Sequence, residues 1–153
     1  YAITATASPV AGGTVSCSAN PVTHGSNSTC TATANAGYSF SAFSGDCTGA
    51  TCTLTNVTAA KSVTATFTQN SYAITATASP VAGGTVSCSP SSVTFGGSAT
   101  CTATPANSYR FNAWTGACAG QSATCTLTNI QAAQASTAVF SYEITVPEGP
   151  QAG

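Results

Sequence analysis

Tyr1-Ala-Ile-Thr-Ala-Thr-Ala-Ser-Pro-Val-Ala-Gly-Gly-Thr-Val-Ser-Cys-Ser18 recurs letter for letter from Tyr72 to Ser89. An exact internal repeat at this spacing marks a modular array, in which each copy is one small domain or one layer of a stack. We divide the chain into unit 1 (residues 1–68), a linker (69–71), unit 2 (72–140) and a tail (141–153). The copies also test each other. A residue that works through the shared scaffold should occur in both, whereas one that decorates a loop need not.

Within the repeated stretch, Tyr1, Ile3, Ala5 and Ala7 share one face of an extended chain, and Ala2, Thr4 and Thr6 share the other. The same alternation runs through Thr29 to Ala34, Thr51 to Thr55 and Ser62 to Phe67. Period-two patterning rich in β-branched residues predicts half-buried strands with the threonines facing water. No stretch carries a helical period. Turns are expected at Pro9 to Gly13, Asn20 to Gly25, Asn35 to Gly37 and Gly45 to Ala50. The fold class is therefore all-β, with five or six short strands in each unit.

A unit this short buries only roughly 60 % of the surface its unfolded chain exposes and needs covalent help. The eight cysteines fall at Cys17, Cys30, Cys47 and Cys52, then at Cys88, Cys101, Cys118 and Cys125. The first two gaps are identical between copies and the last is two residues longer in the second. Even numbers at duplicated spacing read as a disulfide framework in an oxidising, exported setting. Structural zinc sites use tighter paired knuckles, so no metal is expected. Four cysteines allow three pairings per copy. We favour the local one, with 17–30 and 88–101 stapling a hairpin and 47–52 and 118–125 closing a loop.

Charge is the other outlier. The chain has two Lys or Arg and three Asp or Glu, 3 % of residues, against roughly a quarter in an average domain. Two cations cannot neutralise a phosphate backbone or hold an anionic membrane, so neither nucleic acid nor a membrane surface is an expected partner. No apolar run is long enough to span a bilayer. No signal peptide is visible, since the chain opens directly on a repeat, and we expect a processed or excised part of a longer precursor. A nearly neutral surface also lacks the self-repulsion that keeps proteins apart.

The copy comparison removes each candidate for chemistry. His24 is matched by Phe95, Asp46 by Ala117, Lys61 by Gln134 and Arg110 by Ser39. A catalytic constellation needs several mutually placed groups, so we expect no enzyme, no catalytic residue and no cofactor. Tyr38, Phe40 and Phe43 recur as Tyr109, Phe111 and Trp114. Such rings usually plug a small core, and the alternative is a binding surface built on Tyr109 and Trp114. The sequons at Asn27 and Asn56 are not kept in the second copy. An ice-binding use of the outward threonines needs flat ladders, which short twisted strands do not offer.

Taken in order, these residues resemble a known family. Tyr-x-Ile-Thr, Pro-Val-Ala-Gly-Gly-Thr-Val-Ser, Thr-Cys-Thr-Ala-Thr, Gly37-Tyr38-Ser39-Phe40, Gly45-Asp46-Cys47 and the closing Ser62-Val-Thr-Ala-Thr-Phe67 are similar to the divergent internalin B-type repeat of bacterial surface proteins. The second copy has the family's aromatic-x-x-Trp as Phe111-Asn-Ala-Trp114, followed by Gly116, and Phe43 stands at that tryptophan's place in the first. The resemblance covers residues 1–140. It implies compact β-grasp-like modules in secreted or surface-anchored bacterial proteins, often in tandem, without catalytic residues.

Two functions are consistent with this reading. One is a structural extracellular module that forms a stiff stalk or a filament of self-associating copies. The other is an adhesin or carbohydrate-binding module that takes a host or glycan ligand. The tail bears on the first. Ser141-Tyr142-Glu143-Ile144-Thr145-Val146 aligns with Ser71 to Ala76, the opening strand of a unit, and stops at Pro147. It reads as an orphan strand whose apolar set Tyr142, Ile144 and Val146 either folds back on the second unit or pairs with a sheet edge of another subunit.

Overall fold

The computed structural model describes residues 1–143. They form thirteen strands and two short 3-10 turns, with no α-helix among the described residues. Two compact units result, Tyr1–Asn70 and a second that opens at Ser71.

The first unit contains β1 (Ile3–Ser8), β2 (Gly13–Cys17), β3 (Ser28–Ala34), β4 (Tyr38–Gly45), β5 (Cys52–Leu54) and β6 (Lys61–Gln69). They make two three-stranded sheets, ordered β1-β6-β4 and β2-β3-β5. β6 lies parallel to β1 and antiparallel to β4, whereas both pairings of β3 are antiparallel. The alternating apolar residues point where the period requires. Ile3 from β1, Val63, Ala65 and Phe67 from β6, Cys30 from β3, and Cys52 and Leu54 from β5 meet in one core. β6 has a neighbour on both sides, so Val63 and Ala65 are fully buried. The outward threonines pair with one another, Thr6 with Thr64 at 3.1 Å.

The second unit repeats this plan with β7 (Ser71–Ser79), β8 (Gly84–Ser89), β9 (Ser92–Thr94), β10 (Gly97–Pro105), β11 (Tyr109–Gly116), β12 (Thr124–Ile130) and β13 (Gln134–Tyr142). Its sheets are ordered β11-β13-β7-β9 and β12-β10-β8. The added strand β9 replaces a side chain. In unit 1 the Asn20 carboxamide accepts from the Ile3 amide at 2.8 Å and donates to the Ile3 carbonyl at 2.7 Å. In unit 2 the Ile74 amide donates instead to the Ser91 carbonyl at 2.8 Å. An amide side chain stands in for a strand backbone because it offers the same donor and acceptor.

The turn at Pro9 to Gly12 carries the chain from one sheet to the other, and the Phe67 ring lies directly against it. A Cβ on Gly12 would fall 2.6 Å from the Phe67 Cβ, and one on Gly83 would fall 2.6 Å from the Phe140 Cβ. Only glycine permits backbone and ring to approach this closely.

The aromatic pair at i and i+3 needs a second device, since a regular strand would send those residues to opposite faces. A register shift between Phe40 and Ala42 in β4, matched between Phe111 and Ala113 in β11, absorbs the extra residue. Phe40 and Phe43 then pack as tilted rings with centroids 4.9 Å apart, and Phe111 and Trp114 likewise at 5.6 Å. Phe40 also meets Phe67 edge-on at 5.9 Å.

All eight cysteines are bonded, as 17–30, 47–52, 88–101 and 118–125. Cys17 faces Cys30 across β2 and β3, and Cys30 faces Cys52 across β3 and β5. Cys88, Cys101 and Cys125 form the same row in unit 2. Each unit is thus crossed by one line of sulfur at the middle of its β3- or β10-centred sheet. The last bond ties that line to the loop after β4 or β11.

The tail corrects the expected boundary. Ser141 and Tyr142 do not open a further strand. They complete β13, opposite Arg110 and Tyr109 of β11, and the Glu143 amide donates to the Ser108 carbonyl at 2.7 Å. Asn70 closes unit 1 in the same way on Gly37, also at 2.7 Å. Strand β6 runs to Gln69 and β7 starts at Ser71, so Asn70 alone separates them.

Two stability outcomes follow from this packing. Gly83→Ala pushes a methyl into the Phe140 ring, and urea unfolding should show a loss of about 1–3 kcal/mol, whereas an alanine at exposed Val81 should change little. Replacing Cys17 and Cys30 together by alanine should cost on the order of 3 kcal/mol. An unchanged urea midpoint in the double variant would show that the bond does not restrict the unfolded chain.

Candidate functional site

The titratable side chains of the described residues are scattered, and two of them make local contacts. Asp46 accepts from the Ser62 amide at 2.7 Å, reinforcing the loop after β4. The His24 Nδ1 lies 3.0 Å from the Tyr1 hydroxyl, with the rings 5.6 Å apart. Phe95 takes the same place against Tyr72, at 6.5 Å. What the two copies share at this position is therefore an aromatic contact with the tyrosine that opens the unit. Lys61 begins β6 and Arg110 lies on the exposed face of β11. The cysteine sulfurs are all engaged with one another.

The alternative of an aromatic platform on Tyr109 and Trp114 is not assembled at the surface. Trp114 is only 3 % exposed, and its indole N–H donates to the Ser122 carbonyl at 2.6 Å. Its face is covered by the core and its polar edge is satisfied, which leaves nothing to stack on a sugar ring. Tyr109 is partly exposed and packs edge-on against Tyr142 at 5.2 Å. Tyr142, assigned from sequence to a candidate subunit-pairing strand, is thus held in β13, although the residue remains 62 % exposed. Ile144 and Val146 lie outside the described residues.

The structure draws attention to a place the sequence reading passed over. A cleft of about 220 Å³ opens in unit 1, lined among others by Thr31, Ala32, Phe40, Phe43, Ala50 and Thr51, all uncharged. It lies where the loop closed by Cys47–Cys52 turns away from β3. The Phe43 amide takes the Gly49 carbonyl at 2.8 Å, and β5 begins only at Cys52.

The hydrogen-bond pattern of β3 shows what this leaves open. Ser18 donates to the Thr29 carbonyl and Asn35 to the Gly12 carbonyl, so Thr29, Thr31 and Thr33 turn their backbone groups toward β2. Cys30, Ala32 and Ala34 must then direct theirs the other way. β5 meets Cys30. Beyond it, the amides of Ala32 and Ala34 have no protein acceptor among the described residues.

Unit 2 closes the same edge. There the Ala103 amide donates to the Ala123 carbonyl at 2.9 Å, β12 reaches back to Thr124, and Pro105 replaces Ala34 and removes the donor altogether. Ala103 is 5 % exposed, whereas its counterpart Ala32 is only partly buried. Two sequence differences carry the contrast, the two residues added between Cys118 and Cys125 and the alanine-to-proline change. Both are visible in an alignment of the copies, but neither involves a residue type associated with chemistry.

Comparison with known proteins agrees with the repeat. No curated protein and no solved structure is detectably similar. The family model described as the divergent InlB B-repeat domain matches twice in tandem, over residues 3–71 and 74–144. Those spans coincide closely with the two units and together cover most of the chain, which therefore belongs to the divergent InlB B-repeat family.

Proposed function

We propose that this chain is a structural, non-catalytic module of a bacterial surface. In this reading it is exported and oxidised, and it builds a stalk or filament by adding a strand from one copy to a sheet edge of the next. The observation that carries the reading is the division between what the two copies share and what they do not. Strands, glycine turns, aromatic core and disulfides are duplicated, and no acid, base or cation is. Selection on such a pair acts on the scaffold itself.

Membership of the InlB-type repeat family supports a surface or extracellular setting, and four disulfides fit an oxidising compartment. The scarcity of charge favours lateral and end-to-end packing, because like-charge repulsion is the usual barrier to both. An adhesin built on Trp114 has no platform to work with, given the burial of that ring.

The tail supplies the strand in this reading, and its useful part begins after Glu143, since Ser141 and Tyr142 belong to β13. Sedimentation velocity and negative-stain microscopy of the oxidised full chain should reveal linear assemblies. A chain ending at Glu143 should remain monomeric with an unchanged circular dichroism spectrum. Assemblies of equal size from the shortened chain would remove the tail from the mechanism. With so few charges, association of the full chain should hold nearly constant up to about 1 M salt, where exposed ion pairs are screened. A steep loss with salt would point to an electrostatic joint instead.

A further inference from the structure

The geometry points to the open edge of β3 in unit 1, at Ala32 and Ala34, as the acceptor for an extended strand, with residues 144–146 of a second copy of this chain as its occupant. This rests on the strand-addition reading above and names the receiving surface.

The edge is built for one short strand. Ala32 and Ala34 present two amides on the same side of β3, two residues apart, which is the spacing at which an added strand bonds. The position is already filled by protein in the other unit, where Ala123 accepts from Ala103 and Thr124 opens β12. An incoming segment would occupy in unit 1 the ground that these residues occupy in unit 2. Strand addition of this kind draws affinity from main-chain bonds and selectivity from pockets for alternate side chains.

The occupant is identified by chemistry and length. The cleft beside the edge is lined by the Phe40 and Phe43 rings and small uncharged residues. It therefore favours aliphatic side chains on every second residue, with no charge among them. Ile144-Thr145-Val146 carries that pattern, and Pro147 ends it after three residues. Three residues is also the length of β5, the strand that already pairs with the other half of this edge.

Closure of the corresponding edge in unit 2 limits the number of acceptors. Native proteins suppress open edges with proline and with covering segments, and unit 2 uses both at Pro105 and Ala123. Unit 1 has neither. One donor segment and one acceptor edge per chain, distant in sequence and different in kind, define a heterologous contact, which extends as an open line unless its rotation closes a ring.

The test uses two acceptor variants with different risks to folding. Ala34→Pro introduces the residue that unit 2 already carries at Pro105. The second variant exchanges residues 48–51 for the sequence of 119–124 and adds Phe43→Trp, so that the longer loop closes the edge as it does in unit 2. Each should weaken association of the full chain by at least about tenfold, as expected when the main-chain bonds of an added strand are lost. A synthetic peptide covering residues 143–147, added to the chain ending at Glu143, should shift the amide resonances of Ala32 and Ala34 and slow their hydrogen exchange.

If the peptide leaves those two amides unmoved, the proposed acceptor is wrong. If both variants assemble as the parent does while truncation abolishes assembly, strand addition stands and the acceptor lies elsewhere. If truncation itself changes nothing, both readings fall. Equal exchange rates at Ala32 in the full and shortened chains at high concentration also overturn the assignment.

Discussion

The contact between the Phe67 ring and the Gly12-Gly13 backbone holds unit 1 in its shape, as that between Phe140 and Gly83-Gly84 does in unit 2. Phe67 lies on β6, the centre of one sheet, and Gly13 is the first residue of β2, in the other. Seating the ring on a backbone without a Cβ brings the two sheets together at the point where the chain crosses between them. The aromatic pair of β4 completes the arrangement through the edge contact of Phe40. A core with few large side chains depends on such contacts, because an aromatic ring contributes a large part of the apolar area available for burial.

The sulfur row meets a different need. A unit of this size cannot offset its conformational entropy by burial alone. Cys17, Cys30 and Cys52 stand side by side across one sheet, and the bond from Cys52 to Cys47 carries the constraint into the loop after β4. The framework therefore tolerates change in that loop. Unit 2 accepts two more residues there and keeps the same cysteine register. The one difference in length between the copies falls in the loop that this disulfide closes, beside the β3 or β10 edge.

Scarcity of charge turns the state of that edge into a functional matter. Most soluble proteins protect exposed strand edges with lysine or with inward-pointing charges. A chain with five formal charges in 153 residues has little of that protection to deploy. Unit 2 relies on a proline and a folded-back loop, whereas in unit 1 the Ala32 and Ala34 amides have no protein acceptor among the described residues and Ala32 lines an apolar cleft. That asymmetry between the two units is what the proposed strand addition rests on.

Much of this protein is legible in its letters. Strict alternation at Ile3 to Ala7 and Val63 to Phe67 identifies strands and their buried faces, because a pleated chain sends successive side chains to opposite sides. The letter-for-letter repeat defines the units, and the cysteine spacing is compatible with the bonds observed. What the sequence alone leaves undecided depends on neighbours distant along the chain. The parallel pairing of β1 with β6 joins residues at opposite ends of the unit, and no local pattern encodes such a partner. The bulge that turns both Phe40 and Phe43 inward is a shift of register, visible only when β4 is laid against β6. The tail looked like an opening strand because Tyr142 and Ile144 repeat the letters of Tyr72 and Ile74. The ladder on β11 claims Tyr142 for β13 instead, since a residue joins whichever strand satisfies its backbone. The open edge is equally a tertiary fact. Ala32 and Ala103 are the same residue in the same pentapeptide, Thr-Cys-Thr-Ala-Thr, and the course of a loop elsewhere in the chain provides the Ala103 amide with a carbonyl while the Ala32 amide has none among the described residues.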